Sequence, residues 1–241
     1  MQRRGCVIVL LGPPGSGKGT QADRLASALD IPTISTGEMM RQECRSGSAL
    51  GAQVQSLLAA GQLVNDELME EVVSQRLAQP DCGRGCILDG FPRTAAQARF
   101  LDRLLAKLRF DPPIVFNLTI AAAELIARLS SRRECPSCNR TFHVAAGGSA
   151  TCPHDGVTLV FRDDDQPATI RRRLQIYAEN TSEMLRYYQN RGYYSIDASQ
   201  PVDEIASDVL NVLRPDPNGT KDLKLPVLAS QHLCAPNTVA H

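Results

Sequence analysis

Cys6-Val7-Ile8-Val9-Leu10-Leu11-Gly12-Pro13-Pro14-Gly15-Ser16-Gly17-Lys18-Gly19-Thr20 is the stretch on which the reading of the whole chain turns. Its first six residues are an apolar run, too short for a core helix and suited to a buried strand. The run breaks into glycines, and Ala22, Leu25, Ala26 and Leu29 then recur at helical spacing. Strand, glycine loop, lysine and helix together make a holder for a phosphate chain. Glycines let backbone N–H groups turn toward oxygen atoms without a Cβ in the way, and the helix N-terminus adds partial positive charge. Lys18 adds a full charge for the outer phosphates. The plainer alternative is a glycine-rich turn with no ligand. Gly12, Gly17 and Lys18 standing in register behind a strand speak against it.

The hydroxyl that usually follows the lysine of such loops is displaced by Gly19, and Thr20 comes one place later. This Gly-Lys-Gly-Thr ending, with Pro14 before Gly15, resembles the nucleoside monophosphate kinases.

The 241 residues suffice for one α/β domain with an insertion. Lys+Arg 26 against Asp+Glu 26 gives no net charge, so neither a nucleic-acid nor a membrane partner is expected. No apolar run approaches membrane-spanning length. Arg3 and Arg4 ahead of Cys6–Leu11 mimic a signal peptide, but the run is too short and ends in a glycine loop rather than a cleavage site. A cytoplasmic protein is expected, and a monomer, because the fold closes its own sheet with helices. Of the eight cysteines, Cys6, Cys44, Cys82, Cys86 and Cys234 are scattered and read as core or surface thiols.

Downstream, Ile31–Ser35 reads as a short extended segment, and Ser35 and Thr36 as N-cap residues with Glu38 in the first turn of a helix carrying Arg41. Helices are expected over Leu50–Ala60 and Glu67–Ala78, separated by Gly61-Gln62-Leu63-Val64. A buried strand Cys86–Leu88 delivers Asp89 at its C-terminal end, where open α/β sheets bind ligands. An acid at that point is the arrangement in which a carboxylate or its waters hold Mg²⁺; a plain strand-to-turn aspartate is the alternative. Arg93, framed by Gly90 and Pro92, offers a forked donor to phosphate.

Gly12–Gln21, Ser35-Thr36-Gly37 with Arg41, and Asp89-Gly90-Phe91-Pro92-Arg93 with Gln97 together resemble the adenylate kinase family in its bacterial, long-lid form. The likeness runs from about residue 5 to about residue 213. It implies a P-loop nucleoside monophosphate kinase fold: an α/β parallel sheet flanked by helices, with a small β-type zinc lid inserted. It further implies that Gly12, Gly15, Ser16, Gly17, Lys18, Gly19 and Thr20 hold ATP, joined by Arg128, Arg132, Thr141, Phe142 and Gln200. Thr36, Arg41, Gln62, Val64, Gly90, Arg93, Gln97, Arg162 and Arg173 would hold AMP, and Thr20 and Asp89 would stand beside Mg²⁺.

A strand Ile114–Leu118 and a helix Ala121–Arg133 come next. Arg128 and Arg132, four apart, are expected on one helix face, either as a solvated edge or flanking the ATP base and phosphates as the family implies. Cys135-Pro136-Ser137-Cys138 and Cys152-Pro153-His154-Asp155 then form two knuckles with the spacing of a structural zinc site. The linker, Asn139 to Thr151, suggests a hairpin. Knuckle spacing puts the fourth ligand at Asp155, the family's choice also, with His143 and His154 as alternatives. Four protein ligands make a closed, structural site that would stabilise a lid with little core of its own. Unrelated thiols or a disulfide are the alternatives, the latter disfavoured by a reducing compartment.

Beyond the lid, Arg162-Asp163-Asp164-Asp165 precedes a helix with Arg171, Arg172 and Arg173. The family implies phosphate contacts for Arg162 and Arg173, and ion pairs from Asp164 and Asp165 that hold the lid closed. A strand Tyr194–Asp197 and a helix Val202–Leu213 end the domain. The expected division is core over 1–35, an AMP-binding helical insertion over 36–65, core over 66–132, lid over 133–166 and core over 167–214. A proline-rich tail over 215–241, expected to be disordered, follows; its Leu223, Leu225, Val227 and Leu228 could dock on the core or on a partner.

The implied reaction is Mg·ATP + AMP ⇌ 2 ADP. The acceptor oxygen is already anionic, so no general base is needed. Lys18, Arg93, Arg132, Arg162 and Arg173 would neutralise the migrating phosphoryl group. A CMP or UMP kinase is the nearest alternative; Thr36 with Gln97 suits adenine, whereas resembling pyrimidine kinases carry a smaller residue at the Thr36 position. A P-loop ATPase would need a water-positioning residue, and none is visible.

Overall fold

Strand β1 (Cys6–Leu11) is apolar at every position because both its faces are covered. Val7, Val9 and Leu11 point to one side and Ile8 and Leu10 to the other, each at most 3% exposed. The computed structural model describes residues 5–145 and 148–214; the proline-rich tail and Gly147 of the linker lie outside them. In chain order there follow α1 (Lys18–Leu29), β2 (Thr33–Ser35), α2 (Thr36–Arg45), α3 (Ala49–Ala59), α4 (Asp66–Leu77) and β3 (Gly85–Asp89). Then come α5 (Ala95–Lys107), β4 (Ile114–Thr119), α6 (Ala122–Ser131), β5 (Arg132–Glu134) and β6 (Thr141–His143). The helix α7 (Pro167–Tyr188), β7 (Tyr193–Asp197) and α8 (Val202–Leu213) complete the described chain.

The main sheet is parallel, in the order β2-β3-β1-β4-β7. Its two faces bury separate cores, as a two-residue side-chain period requires. Leu88 and Val115 join Val7 and Val9 against Val73, Leu101, Leu105, Met184 and Tyr188 on one side. Ile87, Phe116 and Leu118 join Ile8 and Leu10 against Leu25, Ile205 and Val209 on the other. The glycine loop follows β1, Ser35 and Asp89 are the C-terminal residues of β2 and β3, and the sheet order reverses at β1. That is where a ligand crevice forms in open sheets. Among the described residues no helix is long and apolar enough to cross a membrane.

The expected elements recur within a few residues, with two corrections. Helix α6 ends at Ser131, and Arg132 adopts an extended backbone and opens β5. Arg128 and Arg132 therefore do not share a helix face; pairing of Arg132 with His143 overrides the helical pattern. The expected hairpin also sits earlier than the linker suggests. Strands β5 and β6 flank the first knuckle, and a separate bridge, Thr151 with Thr158, flanks the second. The reason is local: Asn139 takes the left-handed conformation at φ 57 and turns the chain directly after Cys138.

Candidate active site

Ser16 hands the chain from the glycine loop to α1, and its buried Oγ finds no partner among the described residues. Gly17, the α1 N-cap, holds φ 93, and nothing stands within 4 Å of where its Cβ would be. The loop thus turns a bare backbone edge toward open space at a helix N-terminus, where an anion is favoured. Lys18 folds back over the loop, and its Nζ donates to the Gly12 carbonyl at 2.8 Å and to that of Pro13 at 2.9 Å. Desolvation pulls the Lys18 pKa down to about 8; Asp89 opposes this, and Arg93, Arg173 and Arg132 add to it.

Across the cleft, Ser35 caps α2 by accepting from the Glu38 N–H, and its Oγ lies 3.3 Å from Asp89 Oδ2. Thr36 is buried and donates to the Asp89 carbonyl at 3.4 Å. Gly90 has φ 84, and a Cβ there would meet Thr36 Oγ1 at 2.9 Å and Arg93 Nη2 at 3.1 Å, so only glycine fits. That close fit steers Arg93, whose Nε donates to the Gly90 carbonyl at 2.8 Å. Gln97 sits behind the wall: its Oε1 accepts from the Arg93 N–H and its Nε2 donates to Asp66, each at 2.7 Å.

These parts enclose a cavity of about 980 Å³. The loop residues Gly12, Gly15, Gly17, Lys18, Gly19 and Thr20 line it, as do Arg41, Asp89, Gly90, Arg93, Arg128, Arg132, Thr141, Phe142, Arg162 and Arg173. Gln62 and Val64 stand beside the lining residues Gly61 and Leu63 rather than on the wall itself. Gln200 is not among the lining residues; its side chain donates to the Asp197 carbonyl and to Asp208. Arg128 donates to Glu124 at 2.7 Å and to the Ala198 carbonyl at 2.9 Å.

The cations are held by carboxylates. Arg132 forms a two-pronged pair with Asp165, whose side chain is wholly buried. Arg173 pairs with Asp164 at 2.8 Å and with Asp165 at 3.4 Å. Arg162 bonds Glu134 through Nε and Thr141 Oγ1 at 2.8 Å through Nη2. Burial pushes the Asp164 carboxyl up, yet Arg173, Arg132, Arg41 and Arg162 bring it below the usual carboxylate range. Burial, then Arg41 and Arg132, lower the Arg162 guanidinium from its ordinary value. Even lowered, arginine stays charged near neutrality, so the cleft concentrates positive charge that an anion would relieve.

Several contributors escaped sequence reasoning. Tyr177 and Asn180 line the cavity together with Arg173 and Met184, a stripe on α7 at helical spacing that periodicity could have revealed. Glu134 had no pattern to mark it.

Near the cleft, Cys135, Cys138, Cys152 and Asp155 bring one ligand atom each to within 4.8 Å of one another. Cys138 Sγ and Cys152 Sγ are 3.7 Å apart, and Cys135 Sγ and Asp155 Oδ2 are 3.3 Å apart. A tetrahedral Zn²⁺ with sulfur at about 2.3 Å and oxygen at about 2.0 Å separates such atoms by roughly 3.8 and 3.5 Å, so the donor set fits. His154 lies against Arg140 instead, and His143 against Ser131.

Comparison with known proteins agrees with this geometry. The family model described as adenylate kinase matches residues 10–193. The adenylate kinase of Methanocella arvoryzae is 40% identical over 211 residues, covering 86% of this chain and 98% of that protein. That of Salinispora tropica is 43% identical over 211 residues, covering 86% and 97%. That of Thermosipho melanesiensis is 39% identical over 211 residues, covering 86% and 99%. With a glycine loop, an arginine-lined cleft and these relatives, the chain belongs to the adenylate kinase family.

Proposed function

We propose that the chain catalyses Mg·ATP + AMP ⇌ 2 ADP, acting as a cytoplasmic monomer. One observation carries the reading: Lys18, Arg93, Arg132, Arg162 and Arg173 converge on a single cavity that also holds Asp89. The glycine loop takes the ATP phosphates, with Arg128, Thr141 and Phe142 on the side of its base. Arg41, Gly90 and Arg93 take AMP, with Thr36 and Gln97 holding that wall in place, and the backbone near Gln62 and Val64 borders it. Gln200 stands outside the cavity and has no contact role in this assignment.

Phosphoryl transfer between two bound nucleotides asks for alignment and charge neutralisation rather than for a base. Asp89 and Thr20 are the residues that would hold the Mg²⁺ of Mg·ATP, which would offset charge on the phosphate oxygens. The five cations face the oxygens of the migrating group; losing one costs about 3 kcal/mol, or about 10²-fold in rate. Segment 133–166 serves as a lid that excludes water, which would otherwise take the phosphoryl group. Segment 36–65 closes over AMP, and Cys135, Cys138, Cys152 and Asp155 hold a structural Zn²⁺ in the lid.

The test is product identity by ³¹P NMR, with Mg·ATP and each nucleoside monophosphate in turn. ADP from AMP with little free phosphate is the expected result, formed about 10²-fold more slowly by Lys18→Met. CDP or UDP formed faster than ADP would overturn the choice of AMP, and free phosphate without transfer would overturn the lid's role.

A further inference from the structure

Glu134 is 4% exposed, and its carboxylate faces two arginines from different parts of the chain. One oxygen accepts from Arg162 Nε, and the other accepts from Arg45 Nη2 at 2.8 Å. Its own backbone is pinned on two sides, to Thr141 in the β5–β6 ladder and to Val160 at 2.8 and 2.9 Å. Glu134 and Arg162 both belong to segment 133–166 and move together with it, so Arg45 of α2 is the partner that the carboxylate meets from outside the segment. A carboxylate buried this far is costly without both partners.

Arg45 stands in the last turn of α2, outside the cavity wall. It also donates to Asn139 Oδ1 at 2.9 Å and pairs with Glu38 at 3.3 Å. Glu38 in turn pairs with Arg41 at 3.0 Å. Arg41, Glu38, Arg45, Glu134 and Arg162 thus form an unbroken alternation of charge. Both of its ends, Arg41 and Arg162, line the cavity, and in the proposed reaction the first meets AMP and the second the transferred phosphate. We propose that Glu134 is a positioning residue that seats Arg162 in the cleft and, through Arg45, couples closure of the lid to the position of α2.

The proposal rests on the phosphotransfer reading above, so wild-type ADP formation is measured first in the same assay. Glu134→Gln keeps the shape and removes the charge. Its kcat is expected to fall about tenfold, because small displacements of a positioning group are felt strongly in the rate, while KM for ATP stays within about twofold. Arg45→Ala is expected to keep kcat and raise KM for AMP about fivefold, the low end of ordinary coupling between sites. The double variant should raise KM for AMP no further than Glu134→Gln alone, since both break the same link.

A Glu134→Gln enzyme with wild-type kcat overturns the positioning role, and KM effects that multiply in the double variant overturn the coupling. Glu134 adjoins Cys135, so zinc content is measured for each variant. If Glu134→Gln loses metal, Arg45→Ala with metal retained decides: a raised KM for AMP supports the link, and an unchanged one overturns it. A wild-type chain that forms no ADP removes the phosphotransfer reading as well; a wild type that does, with variants that match it, removes only this one.

Discussion

Lys18 spends its charge on two loop carbonyls, and desolvation brings its pKa to about 8. A phosphate beside it favours the ammonium form and raises that value again. Above pH 8, then, nucleotide binding must take up a proton, and below it must not. Calorimetry in buffers of different ionisation enthalpy should show uptake rising toward about one proton as pH passes through that value; uptake independent of pH would refute the assignment. Asp165 makes a second case. Its side chain is fully buried against Arg132, so Asp165→Ala strands a charge and should cost about 3–5 kcal/mol in denaturant unfolding. Asp203→Ala removes the partner of Arg24 from a pair 46% and 82% exposed and should cost at most about 1 kcal/mol. Equal costs would mean that burial is not what matters. The loop residues could be read from sequence because their roles are set by immediate neighbours. Glu134 could not, because its partners are 28 and 89 positions away.

Among elements, α8 falls over Val202–Leu213 as its periodicity indicates, since its apolar stripe of Ile205 and Val209 meets the sheet directly. The end of α6 was not legible, because Arg132 is drawn into a strand by His143, contributed from beyond the first knuckle. Among the described residues, the core of the β5–β6 segment consists of Cys135, Cys152 and Leu159, with Cys138, Phe142, Val144 and Val157 packed beside it. So few apolar groups offset little of the chain entropy of ordering the segment, and the Zn²⁺ proposed for Cys135, Cys138, Cys152 and Asp155 would supply the difference. Chelation should therefore strip hydrogen-exchange protection from residues 133–160 while β1, β3 and β4 keep theirs. Protection lost together across both regions, or in neither, would count against a metal-stabilised lid.

At the scale of the molecule, the parallel sheet and its two cores were legible because continuous apolar runs admit few other arrangements. The cavity was legible from its residues in its loop and strand ends, and through family resemblance in Arg41, Arg132, Thr141, Phe142 and Arg173; what was not legible is how Glu134 and Arg45 tie α2 to the β5–β6 segment. Because the cavity is assembled from such distant parts, a ligand that fills it should stabilise the whole. Mg·ADP at 100 times its Kd should add about 2.7 kcal/mol, a rise in Tm of about 5–10 °C for a chain of this size. No shift would mean that the cavity does not bind nucleotide. The Arg132–Asp165 pair has a different consequence. It joins two residues 33 positions apart, so the intervening segment leaves and rejoins the body of the protein at one address. Among the described residues, that segment lends no strand to the main sheet. In design terms it is a cassette: a change in its length or outer surface reaches the sheet only through that one junction, and leaves the loop that grips phosphate where it is.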